Sequence, residues 1–188
     1  WELAQTERRD QNQEPFDIAI VDAPSTGHCV GLLRTPKNFQ EIARSGPVAR
    51  HGAQIDATFS DSEITGVVAV SIPEQMSVNE LDTLEQELDQ APGLDIDLTV
   101  LNMRLPDRFK EREAKELRSA LEESDDTAVR GALRAALFAH TRAKSQRNEV
   151  ARLKEKAHSE LTQLPFLFRE QLGVADVAEL ADLLELAL

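Results

Sequence analysis

Only one cysteine, Cys29, occurs among the 188 residues. That excludes an internal disulfide framework and any four-cysteine zinc site, and it fits a reducing, cytoplasmic compartment. Positive charge is also short. Lys and Arg number 21 against 34 Asp and Glu, a formal net charge of −13. A general nucleic-acid binder is excluded on that balance, because phosphate affinity needs net or patched positive charge. No run reaches the roughly 18 apolar residues of a membrane span, so an integral membrane protein is not expected. The chain opens at Trp1 with no basic stretch followed by an apolar one, so no signal peptide is read, and it looks processed or internal. Several nucleotide, redox and metal motifs are missing as well. No Gly precedes a Lys, which removes G-x-x-x-x-G-K-[ST], and G-x-G-x-x-G, C-x-x-C and H-E-x-x-H do not occur.

What is present is a globular composition, 41% hydrophobic and 29% charged, in which short apolar runs recur between turn residues. Phe16–Val21 is one such run, stopped by Asp22-Ala23-Pro24-Ser25-Thr26-Gly27. Gly66–Ile72 is stopped by Pro73, Ile96–Leu101 by Asn102, and a weaker run, Leu161–Phe168, is interrupted by Pro165. Apolar runs of this length bounded by Gly and Pro read as buried strands. Helical spacing lies between them. Val78, Leu81, Leu84 and Leu88 share one face, Leu117 and Leu121 another, and Leu133, Leu137, His140, Val150 and Leu153 mark a long, mostly polar helix. Ser77 and Glu80 form a capping-box pattern, and Asp176 is placed as N-cap of a last helix, Val177–Leu188. Strands alternating with helices predict an α/β fold, a mostly parallel sheet flanked by helices. Residues 107–160 carry 13 basic and 11 acidic side chains, unlike the acidic remainder. That mixture reads as a solvated helical pair, or as a surface for an acidic partner.

In open α/β sheets, ligands bind beyond the carboxyl ends of the strands, so the residues following each run carry the chemistry. Asp22 offers a carboxylate for Mg²⁺. Thr26, Gly27 and His28 offer an anion a hydroxyl, a bare backbone amide and an imidazole. A strand-capping turn with a surface histidine fits the same residues. So does a nucleophile elbow around Ser25, in the form A-x-S-x-G, although His140 and His158 then lie in charged helical stretches rather than in a loop after a strand. Asn102 can donate to and accept from a purine edge or simply form a turn. Leu164-Pro165-Phe166 offers rigid apolar surface to a flat base or is ordinary core.

Together these strand ends resemble the ArsA-type ATPases, the family of the arsenite-pump ATPase and of the ATPase that guides tail-anchored membrane proteins. Asp22-Ala23-Pro24-Ser25-Thr26-Gly27-His28 resembles the family's switch II, D-T-A-P-T-G-H, with the proline moved by one position. Ile72-Pro73-Glu74 with Met76-Ser77 and Glu80 resembles its I-P-E-x-x-S-x-x-E segment, and Val100-Leu101-Asn102 its V-V-N. Leu164-Pro165 is similar to its late Pro-containing loop. Bacterial members look closest, through Leu33-Arg34-Thr35-Pro36 and Ile42–Pro47.

The resemblance implies a P-loop NTPase fold and an ATPase that uses ATP and Mg²⁺ to drive a conformational switch. Asp22, Thr26, Gly27 and His28 become the expected catalytic residues, with Asp22 also the metal residue, and Asn102, Pro165 and Phe166 contact adenine. The family's P-loop and switch I precede switch II, so the chain is expected to be the C-terminal part of one ATPase domain and inactive in isolation. Within it, 16–106 holds switch II and the central strands, 107–160 a helical segment, and 161–188 the last strand and helix. A homodimer or paired ATPase subunit and a membrane-protein client are the implied partners. Cys29 alone supplies neither an arsenite site nor a dimer zinc. The alternative is a P-loop-less regulatory or binding module that pairs with a complete ATPase.

Overall fold

The computed structural model describes residues 18–90 and 93–186, in two compact units. One comprises the described residues up to Val67 and from Glu80 to Asp97; the other comprises Val68–Asn79 and the residues from Leu98 onward.

The second unit holds the sheet. Strands β1 (Val68–Ser71), β2 (Leu98–Arg104) and β3 (Glu160–Pro165) lie side by side in that order, all parallel. Leu98, Thr99, Val100 and Leu101 are buried in succession, as a strand covered on both faces requires. Thr99, the polar member, is satisfied by a 2.8 Å hydrogen bond between its hydroxyl and that of Ser159. Leu98, Val100 and Leu164 form a cluster against which Leu180 and Leu184 of helix α6 (Val174–Glu185) pack.

Between β2 and β3 the chain forms α4 (Glu111–Glu123) and the 30-residue α5 (Thr127–Lys156). Asp126 caps α5, its Oδ1 accepting the Ala128 and Val129 N–H groups at 2.8 and 3.2 Å, and Lys154 and Lys156 complement the dipole at the other end. The buried side of α5 runs through His140, Ala143, Gln146, Val150 and Leu153, spaced by three or four residues.

The first unit contains a helical hairpin, α1 (Thr26–Ala43) and α2 (Pro47–Phe59). Arg44 with φ 51° and Gly46 with φ 94° turn the chain between them, and Pro47 starts α2 where its missing N–H costs nothing. The hairpin packs closely because Gly52 has no side chain: a Cβ there would lie 2.7 Å from the Pro36 carbonyl oxygen. Helix α3 (Gln75–Gln90) passes from one unit to the other, and Gly93 (φ 85°) and Leu94 close its end by donating to the Leu88 carbonyl at 2.9 and 3.3 Å.

Three expectations shift. Residues 18–21 form no strand; Ile18 is 79% and Ile20 92% exposed, and an apolar run becomes a strand only when a neighbouring strand takes up its N–H and C=O groups. Phe16 and Asp17 lie outside the described residues. Helix α3 starts at Gln75, so Ser77 sits within its first turn rather than ahead of it as a cap. Helix α6 starts after Gly173, and Asp176 instead reaches back from the third helical position to accept the Gly173 N–H at 2.8 Å.

Candidate functional site

The carboxyl end of β2 is irregular, and the irregularity shapes the site. Leu101 pairs with Gln163 but Arg104 with Pro165, so β2 spends three steps against two on β3. The extra residue is a bulge. Met103 absorbs it in a left-handed conformation, φ 59°, which is uncommon for a side chain other than glycine. Asn102 supports the turn by accepting the Met103 N–H on its own Oδ1 at 2.8 Å. Past the bulge the strands re-join through the Phe166 N–H, which donates to the Arg104 carbonyl at 2.9 Å.

Beyond these two strand ends opens a cleft of about 440 Å³, lined by Arg104–Arg108 and by Gln163, Pro165, Phe166 and Phe168. Phe166 and Phe168 meet edge to face, their centroids 4.8 Å apart, and the Arg108 guanidinium lies 4.5 Å from the Phe168 ring centre. Arg104 pairs with Asp107 at 3.2 Å, and Arg147 of α5 pairs with the other oxygen of the same carboxylate. The cleft is thus mainly apolar and aromatic, with its cations partnered.

Behind that loop lies a polar cluster. His140 is buried, with Nδ1 3.0 Å from the Phe109 carbonyl and Nε2 3.4 Å from Glu111. Lys144 donates to Glu111 at 3.1 Å, and that hydrogen bond and charge hold the Glu111 carboxyl below the ordinary glutamate range.

The expected residues fall in two groups. Pro165 and Phe166 line the cleft, and Asn102 stands at the base of the bulge beside it, with its carboxamide turned onto Met103. Asp22, Thr26, Gly27 and His28 belong to the first unit. Asp22 is exposed in the segment before α1, and Thr26, Gly27 and His28 form the first turn of that helix, behind Ser25 as N-cap. The His28 and Cys29 amides donate to the Ser25 carbonyl at 2.9 and 3.1 Å. Thr26 and Gly27 occupy positions whose N–H groups have no acceptor within a helix. Cys29 is half-buried, and that burial raises its thiol pKa. Arg104, Arg108, Gln163 and Phe168 were not singled out by motif. Their signal is only their place within a few residues of a strand end.

A parallel three-stranded sheet flanked by helices is an α/β fold of the P-loop NTPase class. The family model described as anion-transporting ATPase matches residues 47–186. The chain belongs to this ArsA-type ATPase family. It is 30% identical over 128 residues to the ATPase BagA of Mycobacterium tuberculosis, and equally to a Mycobacterium bovis protein provisionally named an ATPase. Each alignment covers 67% of this chain and 36% of the relative, so the match takes in about a third of the relatives' length. Among the described residues no helix is long and apolar enough to cross a membrane, and no group of three or more His, Cys, Asp or Glu is placed to hold a metal ion.

Proposed function

We propose that these residues form the base-binding and phosphate-sensing part of an ArsA-type ATPase, whose ATP hydrolysis switches a partner or client. The observation that carries the reading is the apolar cleft lined by Pro165 and Phe166, at the strand ends where this fold class binds its ligands. Adenine would lie against Pro165 and Phe166, with Asn102 at its edge. Asp22 would hold Mg²⁺ through a bound water. A single carboxylate is a fitting contribution, because Mg²⁺ takes most of its remaining oxygens from phosphates and water. The first-turn amides of Thr26 and Gly27 and the His28 imidazole would face the γ-phosphate. The ion, when bound, neutralises charge developing on the phosphates.

The helix that opens on these residues, α1, packs on α2 through the Gly52 contact, so a shift at His28 would be carried into both helices. They are the segment proposed to report the nucleotide state to a second ATPase subunit or to a membrane-protein client. A second reading is a regulatory module that pairs with a complete ATPase. The coding DNA ahead of Trp1 separates the two. An in-frame Gly-rich segment ending in Gly-Lys-Thr supports the ATPase, and a start codon directly before Trp1 supports the module.

The cleft is tested on the chain itself by titrating adenosine and following backbone amide resonances. Shifts confined to Arg104–Arg108 and Gln163–Phe168 are expected at millimolar adenosine. Saturating adenosine that leaves those amides unmoved would refute the base-binding role. Calorimetry with ATP is expected to show no micromolar binding.

A further inference from the structure

Gln146 occupies a core position on α5, 4% exposed, in the stripe that His140, Ala143, Val150 and Leu153 otherwise fill. An apolar side chain would be the cheaper occupant, since a buried carboxamide must have its hydrogen bonds met. Here they are met by the backbone at the end of β2. Gln146 Oε1 accepts the Leu105 N–H at 2.8 Å, and Nε2 donates to the Met103 carbonyl at 3.2 Å. Arg104 Nη1 lies 3.5 Å from the same Oε1. The bonds therefore grip the residues on either side of Arg104, where the bulge rejoins the ladder and the cleft wall begins. Arg147, the next residue, ties Asp107 to the same helix.

We propose that Gln146 is a positioning residue for the nucleotide base. It holds the left-handed Met103 and residues 104–108 in place beside Pro165 and Phe166. The inference rests on the base-binding reading of the cleft. A bulge restrained only by its own strand can relax by returning Met103 to the β region, which would move Asn102 and Arg104 together. A carboxamide that donates to residue 103 and accepts from residue 105 blocks that slip, because no single-register shift keeps both bonds.

The test uses the whole 188-residue chain with adenosine as probe, read from the Phe166 and Phe168 amide resonances. Gln146→Leu removes both bonds. Gln146→Glu keeps the acceptor for Leu105 but, as a carboxylate, turns an oxygen on the Met103 carbonyl. Protonation returns an O–H donor there; burial raises the pKa of a carboxyl at that position, while the Arg104 guanidinium 3.5 Å away lowers it. Gln146→Glu is expected to bind adenosine about tenfold more weakly than the native chain at about pH 8 and to recover to within about twofold at about pH 5, with the native chain flat between them. A side chain needed only for stability would change the melting temperature and leave the affinity of the folded protein alone. Native affinity in both variants at both pH values overturns the positioning role while the cleft reading stands. So does a loss in Gln146→Glu that persists at a pH where carbon-13 titration shows the introduced carboxyl protonated. No adenosine shift in the native chain removes the cleft reading and the inference with it. If Gln146→Leu does not fold, the pH profile of Gln146→Glu decides alone.

Discussion

Replacing either of two helical glycines by alanine should move stability in opposite directions. Alanine is favoured over glycine within a helix by about 1 kcal/mol, a gain set by the backbone entropy glycine loses on folding. At Gly131, in α5, a Cβ meets nothing within 4 Å, so Gly131→Ala should collect that gain. At Gly52, in α2, the same Cβ would stand 2.7 Å from the Pro36 carbonyl oxygen and 3.2 Å from the Gln40 nitrogen. Both are backbone atoms of α1 and cannot rotate away, so the helices must part. Overpacking of this kind costs about 1–3 kcal/mol, which exceeds the propensity gain. Gly52→Ala should therefore be destabilised by about 1 kcal/mol, and the two variants should differ by about 2 kcal/mol. For a chain of this length that separates their melting temperatures by about 4–8 °C. Far-UV circular dichroism gives the melts, and hydrogen exchange of the α1 and α2 amides locates the effect. A Gly52→Ala protein as stable as Gly131→Ala would show that the helices yield freely there, and the close-packed hairpin would be wrong.

Asp126→Ala removes the acceptor for two first-turn amides of α5 and should cost about 1 kcal/mol, read as a lower urea midpoint at unchanged slope. Glu111 should titrate below the ordinary glutamate range in a carbon-13 carboxyl titration, and Lys144→Gln should move it back up. Because its folded pKa is the lower one, its contribution is complete above the unfolded glutamate value and fades as pH falls through the folded value. An unmoved Glu111 titration in Lys144→Gln would discount that pair. Cys29 should react with iodoacetamide more slowly than free cysteine at mildly alkaline pH, since burial keeps less of it as thiolate, and unfolding in urea should abolish the difference.

The parts of the fold legible in sequence were those where a local pattern meets a local partner. Ile96–Leu101 reads as a doubly buried strand because its apolar run has no polar alternation, and Leu98–Leu101 are buried in the core of β2. Val78, Leu81, Leu84 and Leu88 announce α3 because helical burial repeats every three or four residues, and all four are buried. Phe16–Val21 has as strong a strand pattern, yet residues 18–21 stand exposed, since a pattern states which residues can pair and not what lies beside them. The site divides in the same way. Pro165 and Phe166, picked out where Pro165 interrupts an apolar run, do line the cleft. Gln146 was not legible, because its meaning depends on bonds to residues 41 and 43 places earlier, and glutamine among charged helical residues ordinarily faces water. The bulge at Met103 was equally hidden, since nothing in Asn-Met-Arg marks a left-handed residue.

Charge sets the cleft apart from the start of α1. Three arginines stand in or behind the cleft, which on counting alone suggests an anion site. Their partners argue otherwise. Arg104 and Arg147 share Asp107, and Arg108 spreads its guanidinium over Phe168. A phosphate entering there would have to displace a carboxylate already in place, and the phenylalanines would give it no hydrogen bond. A neutral flat ring meets neither obstacle: it gains from the Phe166 and Pro165 surfaces and leaves every ion pair intact. The start of α1 has the reverse character, with the Thr26 and Gly27 amides free of intrahelical acceptors, no acidic residue in the first turn, and the positive end of a helix dipole. Such an end rewards negative charge. The cleft therefore suits the uncharged-ring role proposed for it, and the start of α1 the anion-facing role proposed for it.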